Sequence, residues 1–517
     1  MRKNRLIPIG LLILILSASS ISAQEPIYWD VVQKIMEEEF ENSRALDNAS
    51  WLSDVFGARN SKTPSYLEAA EWVKERLEEY GLSDARLEPY EFGTGWENKY
   101  TSVHLMAPNY MPIIAYPAPW TAGTDGKIRA PVTYINFNEI TSEADLQQYR
   151  GKLRDKIIFT VPKQNITPHF EPMATIFTRE QLDEMAQIPI DPPASEERGR
   201  RRSRDEDRLS RKQIVDFVAA EGAVAVVRTD GRRDFGTVDA GVDGYTVDNR
   251  LWELDTPLPL TDLVMAAEHY NRIMRILEKD IPVEMEVEIR VNCIRGDPHD
   301  YNVVAEIPGT DLAHEIVVCG AHLQSEPVGT GATDNAAGTV VAMEAVRILK
   351  TLGLKPRRTI RVGLWGGHEM GLFGNRAHVR KHFADPETKE YKADYDNLCA
   401  YFNVDHGSGK IRGVSIMGSE AMRYILAEWI KPLKSLGMSH LFTTGMAHEA
   451  YSEVGLPGFY FVQDRMDMET NVHSNMDMYD RLVEENLMVN SVILATFVYH
   501  AAMRDEKLPR IAPLPWD

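Results

Sequence analysis

Three short motifs decide the fold: Gly320-Ala321-His322-Leu323-Gln324-Ser325, Gly331-Ala332-Thr333-Asp334-Asn335-Ala336 and Gly367-His368-Glu369-Met370-Gly371. Apolar runs at 316–320 and 359–365 precede the first and last motifs, and they are typical of buried strands. Helical spacing follows the middle motif, at 336–349. An open α/β sheet assembles its site at strand ends, which is where this pattern places the motifs.

The alternation of strands and helices extends outward from this stretch. Further strands are predicted at 301–307 and 398–404, and further helices at 372–383 and 485–503. Alternation of this kind indicates a mostly parallel, mixed sheet flanked by helices on both faces. Upstream, an amphipathic helix begins at Pro64 and is ended by Gly81.

The composition changes near Pro117-Ala118-Pro119. Beyond it, short strands and a helix at 213–220 indicate a smaller α/β unit inserted at 119–294. Its run at 195–212 is mostly charged, and a surface loop is favoured over a polyanion site because acids interleave with the arginines. The main domain is thus predicted in two parts, 24–118 and 295–517, of which the second carries the site.

The first 23 residues are typical of an export signal. Arg2, Lys3 and Arg5 precede an apolar run at 6–16, and Ile21-Ser22-Ala23 forms a small-residue cleavage site. The run is too short to span a bilayer, although an uncleaved anchor is the alternative. We expect cleavage after Ala23, an exported protein (periplasmic or extracellular), no later segment of transmembrane length, and no stable membrane insertion.

Charge and cysteine content narrow the classes of function. With 517 residues and 44% hydrophobic content, the chain is long enough for two or three domains. Its formal net charge of −20 argues against sequence-independent nucleic-acid binding, which needs concentrated positive charge. Three cysteines without a C-x-x-C pair favour buried thiols over a disulfide scaffold or a cysteine metal site.

Five residues at predicted strand ends, loops or helix starts make a candidate metal centre: His322, Asp334, Glu369, Asp405 and His473. Imidazole and carboxylate donors suit zinc or a similar divalent ion. Any one of them alone is more often a cap or a turn residue than a ligand. Together they suit a pair of metals about 3.5–4 Å apart, which polarise a carbonyl and lower the pKa of a shared water.

With these residues, the sequence resembles the zinc exopeptidases of metallopeptidase family twenty-eight, which include secreted aminopeptidases and carboxypeptidase Q. The family pattern is H-x-D, G-A-x-D-[DN]-x-[AG]-G, E-E-x-G-L-x-G, N-x-D and a late His, and it is followed over 301–504. The resemblance implies two zinc ions or other divalent metals, a peptide substrate, and a weakly matched protease-associated insert at 119–294. It implies that His322 and Asp405 hold one ion, that Glu369 and His473 hold the other, and that Asp334 bridges them.

Two positions depart from the pattern. Gln324 replaces the Asp of H-x-D, and its amide oxygen can still accept from the histidine, without charge. His368 replaces the first Glu of E-E, which is the general base in the family. A histidine is a suitable base at neutral pH, so His368 is the proposed base. Metal binding through its imidazole and simple space filling stay open as alternatives.

Other residues are assigned by position only. Asn335 and His448 are candidates for outer-shell or substrate contacts, and Glu326 and Glu449 are alternative bases. His378 and His382 lie four apart on a predicted helix, and a solvated face is favoured for them because no H-E-x-x-H pattern is present.

The sequence therefore predicts an exported zinc-dependent exopeptidase of aminopeptidase or carboxypeptidase type. The alternative is a metal-binding pseudopeptidase that lacks turnover because His368 replaces the general base. A cyclising transferase on a related single-zinc fold is disfavoured, since both sets of metal ligands are intact.

Overall fold

A computed structural model describes residues 25–187, 208–231, 233–241, 251–405, 407–443 and 449–510. The predicted signal, most of the charged run and His448 lie outside these residues.

Eighteen strands are present in the described part of the chain: β1 (Ser83–Glu91), β2 (Gly95–Ala107), β3 (Met111–Pro112), β4 (Ala115–Pro117), β5 (Ile128–Tyr134), β6 (Ile157–Phe159), β7 (Ala225–Arg228), β8 (Asp262–Met265), β9 (Glu284–Ile294), β10 (His299–Ile307), β11 (Leu312–His322), β12 (Arg358–Trp365), β13 (Ala384–Asp385), β14 (Glu390–Tyr391), β15 (Leu398–Asn403), β16 (Ile411–Ser415), β17 (His440–Phe442) and β18 (Gly458–Gln463).

The α-helices of the same residues are α1 (Trp29–Asn42), α2 (Ala45–Ser50), α3 (Pro64–Glu79), α4 (Glu143–Gln147), α5 (Arg179–Ala186), α6 (Arg211–Ala220), α7 (Ala267–Leu277), α8 (Ala337–Thr351), α9 (Phe373–His382), α10 (Glu420–Ile430), α11 (Glu449–Ser452), α12 (Met468–Asn471) and α13 (Glu484–Met503). Short π-helical turns lie at Trp51–Val55 and Ala332–Ala336, and 3-10 turns at Phe137–Glu139, Lys431–Leu436 and Tyr479–Arg481.

The first sheet has eight strands in the order β1-β10-β12-β11-β15-β18-β16-β17. Strands β12, β11, β15 and β18 run parallel to one another, whereas β10 and β16 flank them antiparallel. The prediction of a mixed, mostly parallel sheet flanked by helices is confirmed. The register pairs His322 with Trp365 and Gly320 with Asn403, so the carboxyl ends of β11, β12 and β15 meet at one edge.

Local sequence explains the helices that cover this sheet. Helix α3 begins where the Thr63 side chain accepts from the Tyr66 backbone N–H and Pro64 occupies the first turn, which needs no N–H of its own. Helices α8 and α13 are buried along almost their whole length. The residues of both are mostly apolar, and the buried Arg347 of α8 pairs with Glu344 of the same helix at 2.8 Å.

Helix α13 corrects one expectation. It has 20 residues and is long and apolar enough to cross a membrane by length and composition, so a segment of transmembrane length does occur after residue 23. Within the protein, 89% of its apolar stretch is buried, because α13 packs against α8 and the first sheet. This burial is that of a core helix.

A second sheet takes in the chain from Gly95 to Ile294, with the strand order β3-β2-β9-β5-β6-β7-β8-β4. Strands β2, β3 and β4 precede residue 119, yet they belong to this sheet: β2 pairs with β9 and with β3, and β4 pairs with β8. The second sheet therefore begins upstream of the composition change. The assignment of 119–294 to a protease-associated insert stays a prediction.

Candidate metal centre

The five side chains proposed as ligands converge at the carboxyl edge of the first sheet. Nε2 of His322 lies 2.8 Å from Asp405 Oδ1 and 3.1 Å from Asp334 Oδ1. Nε2 of His473 lies 2.8 Å from Asp334 Oδ2 and 3.3 Å from Glu369 Oε2. The two oxygens of Asp334 therefore face different histidines, which is the arrangement expected of a bridging carboxylate.

Asp477 fixes the loop that carries the bridging residue. Its Oδ1 accepts from the Thr333 backbone N–H at 2.6 Å and from the Thr333 hydroxyl at 2.7 Å, and its Oδ2 accepts from the Asp334 N–H at 3.0 Å. Burial raises the pKa of Asp477 to about 6. Sequence reasoning missed this residue, although it lies only four positions after His473.

Arg59 braces the same loop from the other side, and sequence reasoning missed it as well. Its buried guanidinium donates to the backbone carbonyls of Leu323, Thr330 and Gly331. Burial lowers the pKa of Arg59 to about 10, and the negative charges of Asp477 and Asp334 oppose that shift. No local pattern marks this role of Arg59, because these three carbonyls lie more than 260 positions away in the chain.

The structure brings Asn335 into the site as a positioning residue. Its Nδ2 donates to Asp405 Oδ1 and to the Val404 carbonyl, both at 3.0 Å. Its Oδ1 accepts from the Gly338 N–H at 2.8 Å. Asn335 therefore links the start of α8 to the carboxylate of Asp405.

Gln324 contacts the site differently from the expectation. Nδ1 of His322 lies 2.6 Å from the backbone carbonyl of Gln324, so the amide side chain is not what orients the imidazole. The side-chain Oε1 instead accepts from the Glu369 backbone N–H at 3.1 Å. Gln324 thus fixes the tautomer of one predicted ligand and the backbone of another.

His368 lies against the His322 side of the centre. The two imidazole rings are stacked, with centroids 4.0 Å apart and an interplanar angle of 9°. Nε2 of His368 lies 3.1 Å from Asp405 Oδ2. His448, the other histidine proposed near the site, lies outside the described residues.

Glu326 joins the opposite side of the centre. It is only 3% exposed, and carboxylate or imidazole donors of Glu326, Glu369 and His473 lie within 4.8 Å of one another. Gly241 covers it so closely that a Cβ there would lie 3.0 Å from Glu326 Cδ and 3.2 Å from His473 Cβ. Sequence reasoning named Glu326 only as an alternative base.

A segment of the second-sheet region, residues 233–241, holds the loop that carries His473. The Arg233 guanidinium donates to the Val472 carbonyl at 3.2 Å, and the Val238 N–H donates to Asn475 Oδ1 at 2.7 Å. The Asn475 N–H donates back to the Val238 carbonyl. The second-sheet region therefore forms one wall of the centre.

The electrostatics fit a divalent cation. Burial alone lowers the pKa of His322, but the negative charges of Asp405 and Asp334 raise it well above its ordinary value. Burial alone raises the pKa of Asp334, but His322 and His473 lower it well below its ordinary value. Nε2 of His322 is buried and makes no directed hydrogen bond to any described residue. Imidazole nitrogen surrounded by carboxylate oxygens is a donor set that zinc accepts.

A second cluster of histidines and carboxylate corrects the expectation for α9. His378 is fully buried, and its Nδ1 lies 2.6 Å from Glu88 Oε1 on β1. Nε2 of His382 lies 2.8 Å from Glu88 Oε2. The predicted solvated face is wrong for His378, because the edge strand β1 covers that part of the helix.

A match to a peptidase family, together with curated relatives, identifies the chain as a metallopeptidase. Residues 302–498 match the model described as peptidase family M28. The resemblance inferred from the motifs is thereby confirmed.

Similar proteins agree with this assignment. Carboxypeptidase Q of Mus musculus is 30% identical over 216 residues, which are 41% of this chain and 44% of that protein. Carboxypeptidase Q of Homo sapiens is 22% identical over 473 residues, which are 90% of this chain and 87% of that protein.

Solved structures share the fold. A structure described as a peptidase M28 precursor from Shewanella amazonensis has a TM-score of 0.65 and 22% identity, and covers 94% of this chain and 99% of its own. A zinc aminopeptidase from Bacillus subtilis has a TM-score of 0.56 and 17% identity, and covers 90% of this chain and 97% of its own.

Proposed function

We propose that this chain is an exported, zinc-dependent metallo-exopeptidase with a dinuclear centre. The observation that carries the proposal is the double contact of Asp334, whose Oδ1 faces His322 at 3.1 Å and whose Oδ2 faces His473 at 2.8 Å. The match of residues 302–498 to a peptidase family supports a peptide substrate.

His322, Asp405 and Asp334 would hold one ion, and Glu369, His473 and Asp334 would hold the other. Bound there, divalent ions polarise a scissile carbonyl and lower the pKa of a shared water. Asn335 and Asp477 keep the carboxylates of this set in place through the hydrogen bonds that they make to Asp405 and to the Asp334 backbone.

Glu326 is the side chain that we assign to proton transfer. Its carboxylate takes the proton of the attacking water and returns it to the leaving amine. The support is its burial, with 3% of its surface exposed, beside Glu369 and His473. The assignment of this role to His368 stays a prediction. A general base needs its accepting atom on the attacking water, whereas Nε2 of His368 lies 3.1 Å from Asp405 Oδ2, a proposed ligand oxygen.

The test uses the full chain, purified and loaded with zinc, and four matched peptides: one unmodified, one acetylated at the N-terminus, one amidated at the C-terminus and one with both modifications. Hydrolysis blocked by the acetyl group identifies an aminopeptidase, and hydrolysis blocked by the amide identifies a carboxypeptidase. Glu326→Gln is expected to keep its zinc and lose hydrolysis. Full activity in Glu326→Gln would remove Glu326 from the mechanism, and cleavage of a peptide blocked at both ends would refute the exopeptidase.

A metal-binding protein without turnover is the second candidate. The observation that favours it is a histidine where the family pattern has its general base, with its Nε2 at Asp405. An inactive natural chain that gains peptide hydrolysis in His368→Glu would establish this candidate. Hydrolysis by the natural chain would reject it.

Export is part of the proposal because residues 2–23 have the order of a signal: basic, apolar, then small. Expression with the full N-terminus in a bacterial host should yield a secreted or periplasmic product that begins at Gln24. A product that retains residues 1–23 in the membrane fraction would support the uncleaved anchor instead.

A further inference from the structure

We infer that His368 is an additional metal ligand, on the same ion as His322 and Asp405. The inference rests on the metal centre of the proposed function, but it does not depend on peptide hydrolysis. In this assignment His368 is a fourth protein donor to one ion and not a catalytic base. The two ion sites are then chemically unequal.

The contacts of Asp405 are the first support. Its Oδ1 lies 2.8 Å from His322 Nε2, and its Oδ2 lies 3.1 Å from His368 Nε2. Each oxygen of this carboxylate therefore faces one imidazole nitrogen. Donor atoms of the three side chains lie within 4.8 Å of one another. Two imidazoles and a carboxylate on separate elements are a ligand set that zinc uses.

The orientation of the His368 ring is the second support. Because its plane lies 9° from that of His322 at a centroid distance of 4.0 Å, the two rings are stacked nearly parallel. Both Nε2 atoms consequently reach the same carboxylate. A general base needs its accepting nitrogen on the attacking water, whereas this nitrogen is directed at a ligand oxygen.

The balance of charge at the centre is the third support. Compared with the family pattern, two acidic positions are neutral here, Gln324 and His368, and one acidic side chain is present at Glu326. The described centre contains four carboxylates, those of Asp334, Glu369, Asp405 and Glu326. Four negative charges neutralise two divalent cations, so a neutral imidazole at 368 leaves the charge matched.

The two ions would then differ in their donors. The first would have two nitrogen donors, from His322 and His368, besides Asp405 and Asp334. The second would have one nitrogen donor, from His473, besides Glu369 and Asp334. Imidazole favours zinc, whereas carboxylate oxygen suits harder ions such as manganese. We therefore expect zinc to be retained at the His322 side and manganese to compete at the His473 side.

The experiment measures metal binding in the absence of any peptide. Metal-free full-length protein is titrated with zinc against a chromophoric chelator, and separately with manganese followed by electron paramagnetic resonance. In His368→Ala, the affinity of the tighter zinc site should fall by at least about tenfold while manganese binding persists. Tenfold is the smallest loss expected when a residue that only supports a ligand is removed, and a direct ligand should cost at least as much. His382→Ala, a histidine of the other cluster, should change neither titration.

Two further measurements separate a ligand from a structural residue. Cobalt(II) at the tighter site should change its visible absorption in His368→Ala, because the ion loses a nitrogen donor. Imidazole added to the solution should restore zinc affinity, because the substitution leaves room for it. Thermal unfolding shows whether His368→Ala is folded. If it is not folded, His368→Gln provides the same test with a side chain that fills the space.

Unchanged zinc affinity and an unchanged cobalt spectrum in a folded His368→Ala protein would overturn the inference. Loss of hydrolysis in that same protein would then identify His368 as the base. An inactive natural chain whose zinc affinity still depends on His368 would refute the proposed function and leave this inference standing.

Discussion

Two clusters of histidine and carboxylate lie in the same domain, and both bring donor atoms within 4.8 Å of one another. In the candidate metal centre, four carboxylates surround three histidines. At the edge of the first sheet, Glu88 is the single carboxylate beside His378 and His382, and it also contacts Lys381 at 3.0 Å and Arg86 at 3.7 Å. A divalent cation would be attracted to the first cluster and repelled by the second. Convergence of donors is therefore insufficient to define a metal site, and the net charge around the donors decides.

Removal of the bridging carboxylate should have the largest effect. Asp334→Ala takes a donor from both ions at once, so zinc content should fall from two ions to less than one per chain. Hydrolysis should fall by more than about 100-fold, the upper value for loss of an outer-shell partner. Mass spectrometry of the dialysed protein for zinc and a peptide assay measure the two effects.

The matched control lies in the other cluster. Glu88→Gln should leave zinc content and hydrolysis unchanged, because its two histidines serve to hold α9 against β1. Loss of zinc in Glu88→Gln would break the comparison and indicate that the edge cluster also binds metal.

Asp477→Asn tests the support of the centre and should have an intermediate effect. The amide oxygen of Asn can still accept from the Thr333 backbone N–H. The amide has no charge and no second oxygen to accept from the Asp334 N–H. Zinc affinity should fall by about 10–100-fold. Asp480→Asn, on the exposed part of the same segment, is the matched control. Equal zinc affinities for the two variants would show that Asp477 has no role in metal binding.

The edge cluster should reveal itself in the pH dependence of stability. Burial lowers the pKa of His378 to about 3, below its ordinary value of 6.5. Between pH 6.5 and about 3, His378 is protonated in the unfolded state but not in the folded state. The free energy of unfolding therefore decreases as the pH falls below 6.5. The slope approaches about 1.4 kcal/mol per pH unit for one such group.

Urea unfolding at pH 7.5, 6 and 5 tests this expectation with His378→Gln. The variant should be less stable than the natural chain at pH 7.5, and the gap should narrow at pH 5. A constant gap would mean that His378 titrates normally. Zinc content should stay the same in both proteins.

The smallest effect is expected from Gln324→Met. The change leaves the Glu369 N–H without its acceptor, which costs about 1–3 kcal/mol for a buried group. Zinc affinity should fall less than in Asp477→Asn, because the His322 imidazole keeps its backbone partner. A loss larger than that of Asp477→Asn would reverse the order of the two residues.

The sequence predicted the first sheet and the convergence of the five proposed ligands because both follow from local patterns. Apolar runs mark the strands, and polar residues directly after them lie at the common edge of a parallel sheet. The residues that brace the centre carry no such pattern. Asp477 reaches Thr333 across 144 positions, and Arg59 reaches Leu323 across 264.

The assignment of a solvated face to α9 failed for a related reason. Helical spacing identifies which residues share a face, and it does not identify what covers that face. For His378 the cover is Glu88, on a strand 290 positions earlier in the chain. Glu326 is a similar case, since its proximity to His473 depends on two loops that are distant in sequence.

The contacts of Arg59 also have a consequence for the order in which the protein matures. A guanidinium from the first turns of the chain closes a loop near residue 330, so the N-terminal segment must dock before that loop has its final shape. Zinc binding then requires the N-terminal segment to be docked as well as the first sheet to be folded.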